Sequence, residues 1–355
     1  MTRTLPHPVL QALVGDEEAG AFFSNEAELS AMLRVEAALA DAEAKVGLID
    51  VAAARRIAEV CGSFQADWTK LSEGLARDGV IVPDLVKQLR AAVGESYGKS
   101  VHLGATSQDI IDTALILRLK SVTEILGRRL DTLIHSLDGL KRRDGAVRLM
   151  AHTRMQQALP FTAADKIDTW IQPLERHRDA LQNLAPRLLV LQLGGPIGTR
   201  GELKDRGDAV ADAMAGILEL GFAPSWHSQR DRIGEFGSFL SLLAGTLGKI
   251  GQDIALLAQN EVGEVRLATG GGSSAMAHKS NPVPAEVLVT LARFNAGMLG
   301  ILHQALVHEN ERSGAAWTLE WMVLPQMVVS TAAALSRAQT LVTGISFVPG
   351  TVADH

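Results

Sequence analysis

Three observations predict an all-α fold built from long, packed helices. Apolar residues recur every three or four positions along most of the 355-residue chain, with no convincing alternating strands. Several such stretches run for about 30 residues, which as helix is a rod of about 45 Å. Aromatic residues make up only 4% of the chain, so alanine, leucine, valine and isoleucine must fill the interior, as close helix–helix packing requires. Rods of this length imply a long bundle, an architecture that often grows by oligomerisation.

The elements follow in order. Residues 25–46 predict a helix with Leu29, Met32, Leu33, Ala37 and Leu39 toward a core. Shorter helices are expected near 51–62 and 81–94, with Pro83 in the first turn of the second, where proline is tolerated. Residues 108–143 run without proline and carry Ile111, Leu115, Leu119, Val122, Ile125 and Leu126. The stretch 162–191 contains Pro173 and Pro186, which should kink or end helices. Residues 233–267 hold the clearest stripe: Phe236, Leu240, Leu243, Leu247, Ile250, Ile254, Leu257 and Glu261. Two more helices are expected at 284–308 and 317–343. The organisation that results is an N-terminal helical domain over 1–105 and a central long-helix bundle over 106–355.

Composition narrows the function classes. Hydrophobic residues are 47% and charged residues 21%, a globular mixture with ample core material. The net charge is -6 and there is no basic tract, which disfavours nucleic-acid partners. The single Cys61 cannot form an internal disulfide and fits a reducing cytoplasm. Residues 1–8 lack the apolar core of a signal peptide, and no uninterrupted apolar run approaches a bilayer-spanning length, so no membrane role is expected. None of the ten histidines sits in a His-x-x-x-His arrangement and no Cys-x-x-Cys occurs, so no metal is expected. Glu309 and Glu311 read as a solvated or salt-bridged helix face.

Four polar breaks interrupt the pattern, at 94–106, 150–162, 194–201 and 270–284. In a helical bundle such breaks are candidate site segments. The last begins with three glycines, Gly270 to Gly272, followed by Ser273, Ser274, Lys279 and Asn281. Glycine permits close approach of backbone to a ligand. Backbone amides, the Lys279 cation and the Asn281 amide could stabilise an anion, and a serine among such donors could act as a base. By composition alone, a mobile surface loop explains the same residues. The spacing is not that of a phosphate-binding loop.

The run Gly272-Ser273-Ser274-Ala275-Met276-Ala277-His278-Lys279-Ser280-Asn281-Pro282 resembles the Gly-Ser-Ser-x-Met-Pro-x-Lys-x-Asn-Pro signature of the fumarase/aspartase superfamily. It departs at Ala277, where proline is usual, without losing a chemical group. Two further segments match in order. Residues 101–114, with Thr106-Ser107-Gln108-Asp109, resemble the first conserved region, and Thr153-Arg154-Met155-Gln156-Gln157-Ala158-Leu159-Pro160 resembles the second, Thr-His-x-Gln-x-Ala-x-Pro. Arg154 stands where much of the superfamily has histidine. That departure argues against fumarase, argininosuccinate lyase and adenylosuccinate lyase, and is similar to the 3-carboxy-cis,cis-muconate cycloisomerase branch. The stretches 193–199, 205–207, 226–232 and 308–317 resemble that branch too.

The resemblance implies a fumarase/aspartase-like bundle lacking the usual small C-terminal helical domain. It implies lactonisation of 3-carboxymuconate, or a close analogue such as 3-sulfomuconate, in aromatic-compound catabolism, with no cofactor. Ser273 is then the acid/base, with Ser274 the competing assignment. Lys279 and Asn281 hold the carboxylate where charge accumulates. Thr106, Ser107 and Gln108 bind a substrate carboxylate and Arg312 anchors a second. Arg154 either adds positive charge for a tri-anionic or sulfonate substrate or is a surface arginine. Gln156 either binds substrate or bridges backbone, and His102 is either an acid or orienter or a satisfied helix-start residue. His308 reads better as a packed core histidine, and Asp109 as a helix N-terminal residue. The implied assembly is a homotetramer with active sites shared between subunits. A C–N lyase releasing fumarate, or a structural member of the fold without activity, are the alternative readings.

Overall fold

The computed structural model describes residues 8–268, 271–272 and 280–349. Its helices are α1 (Gln11–Val14), α2 (Glu17–Ala21), α3 (Asn25–Lys45), α4 (Val51–Ser63), α5 (Trp68–Asp78), α6 (Val82–Val93), α7 (Ser107–Asp144), α8 (Ala163–Leu188), α9 (Gly207–Leu218), α10 (Asp231–Leu257), α11 (Val283–Gln304) and α12 (Ala315–Thr343). Six short strands pair in twos: β1 (Arg148–Thr153) with β2 (Gln156–Thr162), β3 (Val265–Leu267) with β6 (Ile345–Phe347), and β4 (Gly271–Gly272) with β5 (Ser280–Asn281). All three pairs are antiparallel.

The bundle consists of α7, α8, α10, α11 and α12, and α3 packs across α7 with α4 and α9 beside it. At 38 residues, α7 is a rod of about 57 Å. Its Thr106–Asp109 capping box sets its start. Close approach of α10 and α11 rests on glycine. A Cβ at Gly248 would lie 2.4 Å from the Ala292 Cβ, and one at Gly251 would lie 2.6 Å from the Ala285 carbonyl oxygen. Helices α10 and α11 are also long and apolar enough, by length and composition only, to cross a membrane. Both pack against other helices of the bundle, and half of the α10 window and a third of the α11 window are buried.

Several expectations from periodicity need correction. Helix α8 runs unbroken through Pro173 and Pro186. A proline inside a helix costs about 3 kcal/mol. Against this, α8 buries Ile167, Trp170, Ile171, Leu174, Leu181, Leu184 and Leu188, each contributing about 1.5–3 kcal/mol, so packing wins. Helix α10 ends at Leu257, ten residues before the end of the apolar stretch, because Gly263 turns the chain with φ 62° and Val265–Leu267 then pairs with β6. Residues 150–162, read as a polar break, lie in the β1–β2 hairpin, which begins at Arg148. Arg154 and Met155 make its two-residue turn with φ of 49° and 67°, as hairpin geometry demands. Most of β2 is exposed, so the alternation that marks a half-buried strand is missing. The sequence reading also passed over α5 and α9.

Candidate active site

The N-terminus of α7 is the fixed point of the site. Asp109, fully buried, accepts five hydrogen bonds. Its Oδ1 takes the Gly194 amide at 2.7 Å, Gln192 Nε2 at 3.1 Å and His227 Nε2 at 2.8 Å. Its Oδ2 takes the amides of Thr106 and Gly195, each at 2.9 Å. Asp109 is thus a helix-start residue, and it also clamps the 194–200 loop onto the start of α7. The loop can lie this close only because Gly194 has no side chain: a Cβ there would lie 2.3 Å from Ser225 Oγ. Arg200 locks the other end, its amide donating to the Gly194 carbonyl at 2.7 Å.

Arg312 reaches this platform across 206 residues of chain. Its guanidinium donates to Thr106 Oγ1 at 2.7 Å and to the Pro196 carbonyl at 3.4 Å. Arg312 is exposed, and Thr106 and Ser107 are half-buried. Two of the predicted carboxylate anchors therefore share one place with the helix start, where first-turn amides lack intrahelical partners and favour anions.

Beneath lies a second, fully buried network. Arg230 donates to Asp112 at 2.6 and 3.1 Å and to Glu320 at 3.0 and 2.5 Å. Trp317 Nε1 also donates to Asp112 at 3.0 Å. Burial disfavours the Arg230 charge, but the two carboxylates outweigh it and hold its pKa above the usual range. Burial raises the Glu320 carboxyl despite that partner. The network ties α7, the start of α10 and the first turns of α12 together, so Thr106 and Arg312 sit on braced elements.

His102 stands beside the platform in left-handed backbone, φ 62°, a conformation that costs a non-glycine residue roughly 1–2 kcal/mol. Its Nδ1 lies 2.7 Å from Glu36 Oε1 on α3. Burial alone disfavours the charged ring, but the Glu36 charge and hydrogen bond prevail and raise its pKa above the ordinary imidazole value. His308 is half-buried, and neither ring nitrogen has a partner among the described residues. Burial pushes its pKa down, as befits a packed neutral histidine.

The other predicted residues are not gathered here. Gln108 is fully buried, its Nε2 donating to the His227 carbonyl at 2.9 Å and to Asp112 at 3.2 Å, so its side chain is committed to packing in this chain. Arg154 and Gln156 are exposed on the β1–β2 hairpin, without bonds to the Thr106–Arg312 cluster. Asn281 is half-buried in β5, opposite Gly271. Ser273, Ser274 and Lys279 lie outside the described residues. Among the described residues no group of three His, Cys, Asp or Glu side chains is placed to hold a metal ion.

Glu36 was missed from the sequence, although a signal exists. Glu36 and Glu43 fall on the same stripe of α3 as the buried Met32 and Leu39, where an unpaired carboxylate is costly. Both are fully buried, and neither Glu43 oxygen has a partner among the described residues. Burial, with some help from Glu36, pushes the Glu43 carboxyl up to about 9.

The fold and the ordered motifs define a lyase. Residues 16–295 match the sequence family described as Lyase, and the chain belongs to that family. Within it, the chain is 41% identical over 332 residues to a 3-carboxy-cis,cis-muconate cycloisomerase of Pseudomonas aeruginosa, an alignment covering 92% of this chain and 72% of that protein. The crystal structure of 3-carboxy-cis,cis-muconate lactonizing enzyme from Pseudomonas putida superposes with a TM-score of 0.90 at 38% identity, covering 96% of this chain and 77% of that one. A trans-aconitate decarboxylase 1 of Mycosarcoma maydis is 34% identical, over 96% of this chain and 70% of its own length.

Proposed function

We propose that this chain is a cycloisomerase that lactonises 3-carboxy-cis,cis-muconate or a close analogue such as 3-sulfomuconate. The observation that carries the reading is the Arg312–Thr106 contact at the start of α7, which joins the first ordered motif to the 308–317 stretch as a carboxylate-anchoring platform. Arg312 suits bidentate contact with a carboxylate, and Ser107 contributes its hydroxyl and first-turn amide. Ring closure is intramolecular: a substrate carboxylate oxygen bonds to the alkenyl carbon, and the displaced electron pair moves onto the conjugated carboxylate. The enzyme selects the folded conformer. Lys279 and Asn281 hold the resulting aci-carboxylate, and Ser273, with Ser274 as the alternative, delivers the proton to carbon. Nothing leaves, so every atom of the substrate is retained and no redox partner is needed.

Arg154 and Gln156 serve a neighbouring subunit in this proposal. Their hairpin is exposed, and only a third of the apolar window of α11 is buried by its own chain, which favours a homotetramer with shared active sites. The N-terminal region up to about residue 105 then forms one domain and the bundle another. Purified protein mixed with 3-carboxymuconate should consume its ultraviolet absorbance without added metal or nucleotide. Unchanged absorbance, with growth of a fumarate band from adenylosuccinate, would replace this reading with C–N lysis.

A further inference from the structure

We propose that Glu36 is a positioning residue that keeps His102 an imidazolium, so that His102 serves as a fixed cationic donor to a substrate carboxylate and does not cycle a proton. The inference rests on the substrate-binding reading of the Thr106–Arg312 platform.

The geometry is specific. Glu36 lies in the middle of α3 with its carboxylate fully buried, and its one hydrogen bond among the described residues is Oε1 to His102 Nδ1 at 2.7 Å. Its other oxygen, Oε2, is buried without a partner. A carboxylate taken out of water needs a compensating cation, and among the described residues the only side chain bonded to it is the His102 ring. The backbone of His102 adopts left-handed geometry, which brings the ring to Glu36. With Nδ1 committed to Glu36, only Nε2 can meet a ligand, and it has no partner among the described residues. The ring orientation is therefore set from behind by an acidic group.

The charges around the pair favour the imidazolium. From α7, Asp109 adds attraction, and from α6, Arg90 opposes it more weakly. On α3 itself, Glu43 neighbours Glu36, but its carboxyl is pushed up to about 9 and stays protonated near neutral pH. On α4, Cys61 faces Glu36 as a thiol, its pKa pushed up to about 12. Glu36 is thus the one anion bonded to the ring. As an imidazolium, His102 is a poor general base but a good anion donor, since charge-assisted hydrogen bonds are roughly twice as strong as neutral ones. The proton delivered to carbon must then come from another group.

The test is a titration of His102 by NMR in the full chain labelled at the histidine ring, assigned with His102→Gln. In the parent, His102 should titrate above the ordinary imidazole range, and in Glu36→Gln its titration should move to lower pH. Alongside, binding of propane-1,2,3-tricarboxylate at pH 7.5 should weaken about tenfold in Glu36→Gln, the order expected from losing one charge-assisted hydrogen bond. The loss should shrink as pH falls through the lowered titration of His102 measured in the variant, below which the ring is charged in both proteins. A parent His102 titrating at or below the ordinary range overturns the proposal, and this measurement needs no variant. Equal tricarboxylate affinity and pH dependence in both proteins overturns it too. If the parent binds no tricarboxylate while His102 still titrates high, the platform reading fails and the Glu36–His102 pairing stands.

Discussion

Replacing Asp109 by asparagine tests whether one buried carboxylate organises the site. The substitution keeps the shape and exchanges one acceptor oxygen for an NH2 group. The arrangement it meets is five donors and no acceptor: three at Oδ1, from Gly194, Gln192 and His227, and two at Oδ2, from Thr106 and Gly195. Asparagine does best with its NH2 at the Oδ2 position, where it still opposes two backbone N–H groups. Hydrogen bonds to charged groups contribute about 1.5–3 kcal/mol each, so losing two costs about 3–6 kcal/mol. A natural protein has about 5–15 kcal/mol in total, so this is a large fraction. The loss falls where Thr106 and the 194–200 loop meet. Two readings of Asp109→Asn are therefore expected: a lower midpoint of urea unfolding, and faster hydrogen exchange in peptides covering 104–109 and 192–200. A midpoint shift equivalent to less than about 1 kcal/mol, with unchanged exchange at those peptides, refutes the reasoning.

Two further outcomes are expected. Arg312→Lys loses the planar fork at Thr106, so KM for a polycarboxylate should rise about tenfold or more, while stability changes by less than about 1 kcal/mol because Arg312 is exposed; an unchanged KM removes Arg312 from the site. Glu43 binds its proton more tightly folded than unfolded, since its carboxyl rises from 4.5 to about 9. Its contribution to stability is therefore fully present below pH 4.5 and fades as pH rises through about 9. Glu43→Gln should leave the thermal midpoint near pH 5 little changed and raise it relative to the parent above pH 8, and parallel curves across that range contradict the assignment.

The helical stripes were legible because each helix buries a face against a partner. Residues 25–46, 108–143 and 284–308 correspond to α3, α7 and α11 within a few residues, and the apolar stripes of α3 and α7 are largely buried. Elements whose shape comes from elsewhere were not. The β1–β2 hairpin shows almost no buried face, so nothing in its side-chain order betrays a strand. Pro173 and Pro186 were expected to kink or end a helix, and that α8 does not end at either could not be read locally, because the packing that holds it belongs to other segments.

The candidate site divides in the same way. Sequence by itself determined the fold class, the three ordered motifs and hence the family, because these depend on residue type and local spacing. Thr106, Ser273 and Lys279 could be named from those motifs, and Arg312 from the 308–317 stretch. Only the tertiary structure decided that Arg312 meets Thr106, that Asp109 gathers the 194–200 loop, and that Glu36 stands behind His102. Those pairs are separated by 206, 86 and 66 residues. Partners that far apart carry no shared period. They are chosen by helix crossing and by the need of each buried charge for a counter-charge.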